Sequence, residues 1–159
     1  MARAAAQVPD RKAAEPHVDN RRARFEYFIM ERFAAGLALT GTEIKSIRGG
    51  HVSLAEAYAR IRDGELWLVG MHIAPYKEGS WLNHEPLRPR KVLMHRKEID
   101  KLAGQMGEKG LTIVPLRLYF KRGMVKVELG LARGKKLWDK RSSIKERDAV
   151  REAARAVRG

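Results

Sequence analysis

The sequence predicts a mainly β protein: an OB-like antiparallel β-barrel with two or three short helices and a basic C-terminal tail. Apolar and polar residues alternate over residues 116–121 and again over 125–129, as in antiparallel strands with one face in water. Asp63-Gly64 separates two strand-like segments, and both positions tolerate the positive φ of a tight hairpin turn. Helical patterns interrupt these strands in only two short segments of the body.

The strand signals run through the body of the chain. FEYFIMERF, residues 25–33, is rich in aromatic and branched residues, as strands are. Pro115 cannot donate a backbone hydrogen bond, so we expect it at a sheet edge or a bulge. The alternation predicts two apolar faces: Leu116, Leu118 and Phe120 before Arg122-Gly123, and Val125, Val127, Leu129 and Leu131 after it.

The first predicted helix lies in TGTEIKSIRGG, residues 40–50. Thr42 is its candidate N-cap, because a threonine hydroxyl accepts hydrogen bonds from the first turn, and Gly49 is its stop. The helical period then divides its side chains between two sides. Ile44 and Ile47 are expected to point inward, and Glu43, Lys45 and Arg48 mostly outward.

The second predicted helix lies in HRKEIDKLAGQMGEKG, residues 95–110. Residues 90–95, just before it, fit a strand or a helix equally well, so their structure stays open. The apolar stripe of the helix should face the core. That stripe consists of Ile99, Leu102, Ala103 and Met106.

The chain divides into an arm, a body and a tail. Residues 1–19 hold alanine, proline and charge without apolar periodicity, and we expect a disordered arm. Residues 20–133 form the OB-like body, and residues 134–159 form the basic tail. Ser143 and Glu146 make a capping-box pattern, so a tail helix could start at Ile144. A helix of about 15 residues is marginal alone in water, so we expect the free tail to be disordered or loosely helical and to become helical when bound.

The charge of the chain indicates a polyanionic partner. There are 33 Lys and Arg residues against 19 Asp and Glu, a formal net charge of +14. Such an excess favours RNA, DNA or an acidic membrane surface. Without cysteine, disulfides and thiolate metal sites are excluded. No apolar run approaches the roughly 20 residues of a membrane span, and we expect a cytoplasmic protein.

Catalytic patterns are weak. The five histidines form no HExxH motif, and the chain has neither a GxSxG motif nor a phosphate-binding glycine loop. His84 and Glu85 lie in a loop, where a small hydrolase would also need a nucleophile and an oxyanion site. The sequence therefore predicts no catalytic residue, no metal ligand and no cofactor, and leaves a hydrolase as a minor alternative.

Nucleic-acid binding signals are denser. Basic clusters supply phosphate contacts, and exposed aromatic rings can stack on unpaired bases. Phe25, Phe28 and Trp67 are assigned to the core instead. The basic clusters are Arg21, Arg22 and Arg24, and Arg88, Arg90, Lys91, Arg96 and Lys97; the candidate stacking residues are Tyr27, Tyr58, Trp81 and Tyr119.

Several segments resemble one protein family in order and spacing. They are NRRARFEYFI, AGLALTGTEIKSIRGG, NHEPLRPRKVLMHRKEIDKL, GLTIVPLRLYFKRGMVKVELGLARGKK and DKRSSIKERD. Together, from about residue 20 to 148, they are similar to the SsrA-binding proteins, also called small protein B. A general RNA-binding protein would explain the charge and the barrel, but not this set of motifs.

The resemblance implies a function in ribosome rescue. Members of that family bind the tRNA-like domain of transfer-messenger RNA and favour its charging by alanyl-tRNA synthetase. They enter stalled ribosomes with that RNA, elongation factor Tu and GTP, and their tail occupies the decoding centre and the empty mRNA channel. By resemblance, this chain is expected to be a monomer without enzymatic activity and without a membrane partner.

The resemblance also implies site residues. Ala34 departs from the family, which usually has an acidic residue there; Glu31 is a candidate substitute. Trp138 replaces the usual His or Tyr but keeps a planar ring. The RNA face is expected to comprise Asn20, Arg22, Glu43, Lys45, Arg48, Lys91, Leu93 and Lys126, and the ribosome-binding tail Gly134, Lys135, Lys136, Trp138, Asp139, Lys140, Arg141, Ile144 and Lys145.

Overall fold

The computed structural model describes residues 16–78, 83–135 and 137–158. Strands dominate it, as predicted, and four helices accompany them within these residues. In chain order the elements are β1 (His17–Asp19), α1 (Arg21–Glu26), β2 (Tyr27–Leu37), α2 (Gly41–Arg48), β3 (Val52–Ser53), β4 (Tyr58–Arg62), β5 (Glu65–Val69), β6 (His72–Ile73), β7 (Arg90–Leu93), α3 (Arg96–Lys109), β8 (Thr112–Lys121), β9 (Met124–Gly134) and α4 (Leu137–Arg158).

The larger sheet has the strand order β1-β8-β4-β5-β7-β2-β9, and its neighbouring strands are antiparallel. β9 also pairs with β8, so the six strands from β8 to β9 close a ring, and β1 is attached to it through β8. One face of each strand lines the inside of this ring and the other faces outward, because successive side chains alternate. The sequence left residues 90–95 between strand and helix; the structure forms strand β7 over residues 90–93, within the ring.

Two tight turns fix the hairpins. Asp63 and Gly64 have φ of 53° and 76°, and Arg122 and Gly123 have φ of 54° and 76°. Two successive positive φ values are typical of the turn whose twist matches that of the flanking strands. The hairpin predicted at Asp63-Gly64 is therefore confirmed.

Pro115 lies at an irregularity of β8, as predicted. The register with β9 shifts between Pro115 and Arg117, which is the signature of a β-bulge. The extra residue reverses the alternation, so Leu116 packs in a small cluster under α1, whereas Leu118 and Phe120 pack in the main core. The prediction of one shared face is therefore wrong for Leu116.

The main core fills the inside of the ring. The predicted apolar face of β9 is confirmed, since Val125, Val127, Leu129 and Leu131 are all buried there. α3 contributes two residues, Ile99 and Leu102, which are each 5% exposed. Met106 is partly buried against this core, but Ala103 is exposed, so the predicted stripe is wrong at that position.

The N-cap of α2 lies two residues before the predicted one. Thr40, not Thr42, is the N-cap: Glu43 N donates to Thr40 Oγ1 at 3.4 Å, and Thr40 N donates to Glu43 Oε1 at 2.8 Å. This reciprocal capping box satisfies two backbone donors at once, which a cap at Thr42 would not do. The predicted stop at Gly49 is confirmed.

The chain termini differ from the predictions. Residues 17–19, assigned to a disordered arm, form β1 and pair with β8, and residues 1–15 of that arm lie outside the described residues. α1 was not predicted at all. α4 begins at Leu137, so the expected start at Ile144 is wrong. Residues 137–158 contain no Gly or Pro, so no residue with a strong preference against helix interrupts the longer helix. Among the described residues, no helix is both long and apolar enough to cross a membrane.

Candidate nucleic-acid interface

Two predicted RNA-binding residues meet on the outer face of the sheet. Gly36 of β2 is the register partner of Leu93 on β7 and of Lys126 on β9, so all three share one face. Around them lies an open groove of about 420 Å³, which Met94 and Glu98 also line. Leu93 is 48% exposed although it is a large apolar residue. This combination of an exposed apolar side chain and a cation suits a nucleotide surface.

Two carboxylates near Ala34 can replace the acidic side chain that this position lacks. Ala34 is the register partner of Glu128, and Glu98 lines the same groove. Glu31, the substitute expected from the sequence, shares the strand face of Phe33, which packs against the core, whereas Ala34 is on the other face. Alternation therefore places Glu31 on the face opposite the groove, and Glu98 and Glu128 are the carboxylates nearer to Ala34.

Lys91 continues the same outer face along β7. Its Nζ lies 2.5 Å from Glu65 Oε2 on β5, and both side chains are more than 40% exposed. Exposed ion pairs of this kind contribute little to stability. Lys91 can therefore exchange its carboxylate for a phosphate at small cost.

Glu43 is fully buried, so the prediction that it points outward is wrong. It shares its helix side with Ser46 and Ile47, which are also buried. Arg88 Nη2 lies 2.5 Å from Glu43 Oε1, and Arg90 Nη2 lies 2.6 Å from Oε2. Burial raises the pKa of the Glu43 carboxyl, but hydrogen bonds from Arg88, Thr40 and Arg90 outweigh it and hold that pKa below its usual value.

Arg90 is the second buried member of this network. Its Nη1 donates to Met71 O at 2.6 Å, and its Nη2 donates to Pro86 O at 3.2 Å. Burial lowers the pKa of Arg90, and Glu43 opposes that shift. The sequence placed Arg90 in a surface cluster, but its side chain is 0% exposed. Glu43 and Arg90 therefore hold α2, β7 and the loop before β7 together, and only Arg88 reaches solvent.

Asn20 is also buried, at 4% exposure. Its Oδ1 accepts from Ala23 N at 3.2 Å, which caps α1, and its Nδ2 donates to Pro115 O at 2.8 Å and Leu54 O at 3.2 Å. Every hydrogen-bonding atom of the amide is thus used within the protein. Asn20 therefore positions α1 against the β8 bulge.

Arg22 is exposed on α1 between two carboxylates. Its Nε lies 3.1 Å from Glu26 Oε1 and its Nη1 lies 2.5 Å from Glu56 Oε1. Hydrogen bonding to Glu26, and then the charges of Glu26 and Glu56, raise the pKa of Arg22. This guanidinium is held in place but remains open to water.

Lys45 and Arg48 lie exposed on α2 and do not line the groove beside Leu93. Lys45 Nζ lies 5.4 Å from the centre of the Tyr76 ring, and Arg48 Cζ lies 4.4 Å from that of Phe120. Such cation–π contacts fix the direction of long basic side chains. The predicted face is therefore divided: the sheet groove, α1 and α2 present separate basic positions.

The tail starts on the body. Gly134 ends β9 opposite Tyr27, and Lys135 N donates to Glu26 O at 2.8 Å. Lys136 lies outside the described residues, and Trp138 and Asp139 belong to the first turn of α4. Lys140, Arg141 and Lys145 follow on α4, where Ile144 is 37% exposed.

α4 contacts the body through α1. Arg147 Cζ lies 6.0 Å from the centre of the Phe25 ring, and these two residues line a cleft with Arg21 and Arg24. Phe28 lies near cations as well, with Lys135 Nζ 5.1 Å from its ring centre. Neither ring belongs to the two buried clusters, so their assignment to the core is wrong.

The loop that suggested a hydrolase is occupied by structural contacts. Both ring nitrogens of His84 are engaged, Nδ1 with Thr42 Oγ1 and Nε2 with Ile73 O, each at 2.9 Å. Glu85 Oε1 accepts from Leu87 N, and the His84 and Glu85 side chains, both described, form neither a hydrogen bond nor an ion pair with each other. Among the described residues, no three His, Asp or Glu side chains are grouped to hold a metal ion.

Comparisons with known proteins agree on one family. The family model described as SmpB protein matches residues 17–159. An SsrA-binding protein of Desulforudis audaxviator is 59% identical over 140 residues, 88% of this chain and 92% of that protein. One of Symbiobacterium thermophilum is 53% identical over 160 residues, 100% of this chain and 98% of that protein. A solved structure described as "tmRNA-SmpB: a journey to the center of the bacterial ribosome" matches with a TM-score of 0.65 at 53% identity, covering 77% of this chain and 86% of that one.

Proposed function

The chain belongs to the SmpB protein family, and from this membership we propose that it binds transfer-messenger RNA and brings it to stalled ribosomes in trans-translation. The tRNA-like domain of that RNA is its ligand. The observation that carries the proposal is the groove beside Gly36, where the exposed Leu93 and Lys126 come together from strands far apart in sequence.

In the body, exposed residues contact the RNA, and buried residues position the elements that carry them. Lys91, Leu93 and Lys126 contact RNA from the sheet, while Arg22, Lys45 and Arg48 contact its phosphates from α1 and α2. Glu43 and Asn20 act as positioning residues, because their side chains are buried and hydrogen-bonded within the protein. The closed ring of antiparallel strands supports the assignment of this body to the OB-like class, whose barrels commonly bind nucleic acid.

The tail, residues 134–159, enters the ribosome. α4 has 22 residues and is therefore about 33 Å long. Arg147, Arg151 and Arg155 follow one another at intervals of four residues, so they form an exposed basic stripe suited to ribosomal RNA in an empty mRNA channel. Lys135, Lys136, Trp138, Asp139, Lys140 and Arg141 lie at the decoding centre, with Ile144 and Lys145 following.

The remaining partners act through the RNA. Elongation factor Tu with GTP delivers the complex, and alanyl-tRNA synthetase charges it, so this protein performs no catalysis itself and needs no cofactor. It works as a monomer in the cytoplasm, where ribosomes are.

A competition experiment tests the RNA partner. Labelled transfer-messenger RNA bound to the full chain is displaced with unlabelled transfer-messenger RNA, bulk tRNA or random duplex RNA at physiological salt. We expect transfer-messenger RNA to compete at concentrations at least about tenfold lower than the others, because shape recognition adds to the phosphate term. Equal competition by all three would favour a general RNA-binding protein.

A further inference from the structure

Trp67 lies on the outer face of the ring. Its neighbours in β5, Leu66 and Leu68, are 0% exposed and point into the core, so alternation directs Trp67 outward. Its indole is only partly buried. The assignment of Trp67 to the core is therefore wrong, and a large aromatic ring faces solvent in the middle of the sheet.

Basic residues flank the Trp67 indole on both sides. Trp67 is the register partner of Arg60 on β4 and of Lys91 on β7. Lys91 and Arg62 have carboxylate neighbours, Glu65 at 2.5 Å and Asp63 at 4.0 Å. Within the residues that the structure describes, Arg60 is exposed and no carboxylate pairs with it. A free guanidinium thus lies one strand away from an accessible indole.

The Trp67 indole and its neighbours line an open groove of about 420 Å³. Pro89 and Val69 add apolar surface to it, and Arg62, Asp63 and Glu65 add charge. Its size falls within the range of small-ligand sites. A flat apolar floor beside cations suits a nucleotide, since a base can stack on the indole while a phosphate binds the guanidinium.

This groove is continuous with the candidate interface. Lys91 and Leu93 are two residues apart on β7, so they share the outer face and link Trp67 to Gly36 and Lys126. From β4 to β9 the face crosses four strand-to-strand steps, a distance of about 19 Å. One RNA molecule held at Leu93 and Lys126 can therefore reach Trp67.

We propose that the Trp67 groove is a further RNA contact, in which an unpaired base stacks on the indole and an adjoining phosphate binds Arg60. It rests on the proposed function, because the same RNA occupies both grooves. A paired base has both faces covered by its neighbours in the helix, so the groove selects a looped-out or single-stranded nucleotide. The contact would add to affinity and favour RNAs with an unpaired base at the correct distance from the bound helix.

Fluorescence of Trp67 tests stacking directly. The variant Trp81→Phe/Trp138→Phe retains Trp67 as the only tryptophan of the chain's three. Titration with transfer-messenger RNA should quench its emission and protect it from acrylamide. Emission and acrylamide quenching that do not change at saturating RNA, with binding verified by a labelled-RNA assay, would overturn the proposal.

Affinity measurements give an independent test. Trp67→Ala should weaken transfer-messenger RNA binding by about 5- to 150-fold, the range for losing one stacked base, while Trp67→Phe should retain most of it. Arg60→Ala should lower the slope of log affinity against log salt by about 1, and Lys121→Ala, which removes an exposed charge at the end of β8, should leave it unchanged.

The outcomes separate this contact from the function on which it rests. If the unchanged protein does not prefer transfer-messenger RNA, the proposed function fails. If the unchanged protein does prefer transfer-messenger RNA, the Trp67→Ala variant decides the second question. Unchanged affinity of this variant, with its fold verified by circular dichroism, would show that the groove is not an RNA contact. An equal loss for Trp67→Phe and Trp67→Ala would also count against stacking, because phenylalanine keeps an aromatic face.

Discussion

Arg90 and Glu43 form an ion pair that is closed to solvent: Arg90 Nη2 lies 2.6 Å from Glu43 Oε2, and neither side chain is exposed. The pair joins α2 to β7, two elements that are distant in sequence. Removing one partner leaves the other as a buried charge without compensation. The pair should therefore affect the free energy of unfolding, independently of any contact with RNA.

We expect Glu43→Gln to lower the free energy of unfolding by about 3–5 kcal/mol, the range for breaking a buried pair. Urea unfolding followed by circular dichroism measures it. Glu65→Gln is the matched control, since its pair with Lys91 is exposed and should contribute only about 0–1 kcal/mol. Equal effects of the two substitutions would show that burial of the Glu43 pair has no energetic consequence.

The same carboxyl predicts a pH dependence. Its pKa is lower in the folded protein than the ordinary value of 4.5, so its stabilising effect is complete above about that pH. The effect is lost as pH falls through the folded pKa, because the carboxyl then takes up a proton. Urea midpoints of the unchanged protein and Glu43→Gln should therefore converge as the pH is lowered from 5 to below 4.5 and through the folded pKa. A constant difference across this range would contradict the assignment.

Part of this network was within reach of the sequence. Glu43 is four residues from Ile47, so the helical period that turned Ile47 inward also turned Glu43 inward. The prediction failed because a carboxylate was taken to prefer water, and nothing in the sequence identified Arg90 as its partner. A buried charge is acceptable only when the fold supplies its counter-charge, and that pairing is tertiary.

The strands were more predictable than their irregularities. Alternation alone identified the apolar face of β9, but the bulge at Pro115 moved Leu116 to another cluster. Alternation also placed Trp67 opposite Leu66 and Leu68, yet its size favoured the core. The pairings that close the ring join strands distant in sequence, and no local pattern indicates which strands pair.

Lys126→Ala should weaken transfer-messenger RNA binding and lower its salt slope by about 1, because one phosphate contact is lost. Filter binding at several salt concentrations measures both. Lys121→Ala removes the same charge from a position outside the groove and should change neither quantity by much. A salt-independent affinity of the unchanged protein would contradict the electrostatic account.

Leu93→Ala should also weaken this binding, with little loss of stability, because Leu93 is 48% exposed. Leu87→Ala is its matched control: Leu87 is 55% exposed, lies in the loop before β7, and should bind RNA as the unchanged protein does. If both leucine variants bind equally well, the groove beside Gly36 is not the apolar part of the interface.

Ala153→Pro should break α4 in its C-terminal third, since proline removes a helical hydrogen bond and costs about 3 kcal/mol in a helix. We expect normal affinity for transfer-messenger RNA but impaired peptide tagging on stalled ribosomes. Ala153→Ser, at the same exposed position, should tag normally. Normal tagging by the proline variant would show that the tail does not act as a helix.

The division of labour between body and tail is the central claim, and truncation after Lys135 tests it most directly. This end point keeps β9 intact and retains the hydrogen bond from Lys135 N to Glu26 O. Affinity for transfer-messenger RNA and peptide tagging on stalled ribosomes are measured on the same preparation. The account predicts an affinity within about twofold of the full chain and no tagging, because the phosphate contacts of α4 are lost. Tagging at the normal rate by the truncated protein would contradict it.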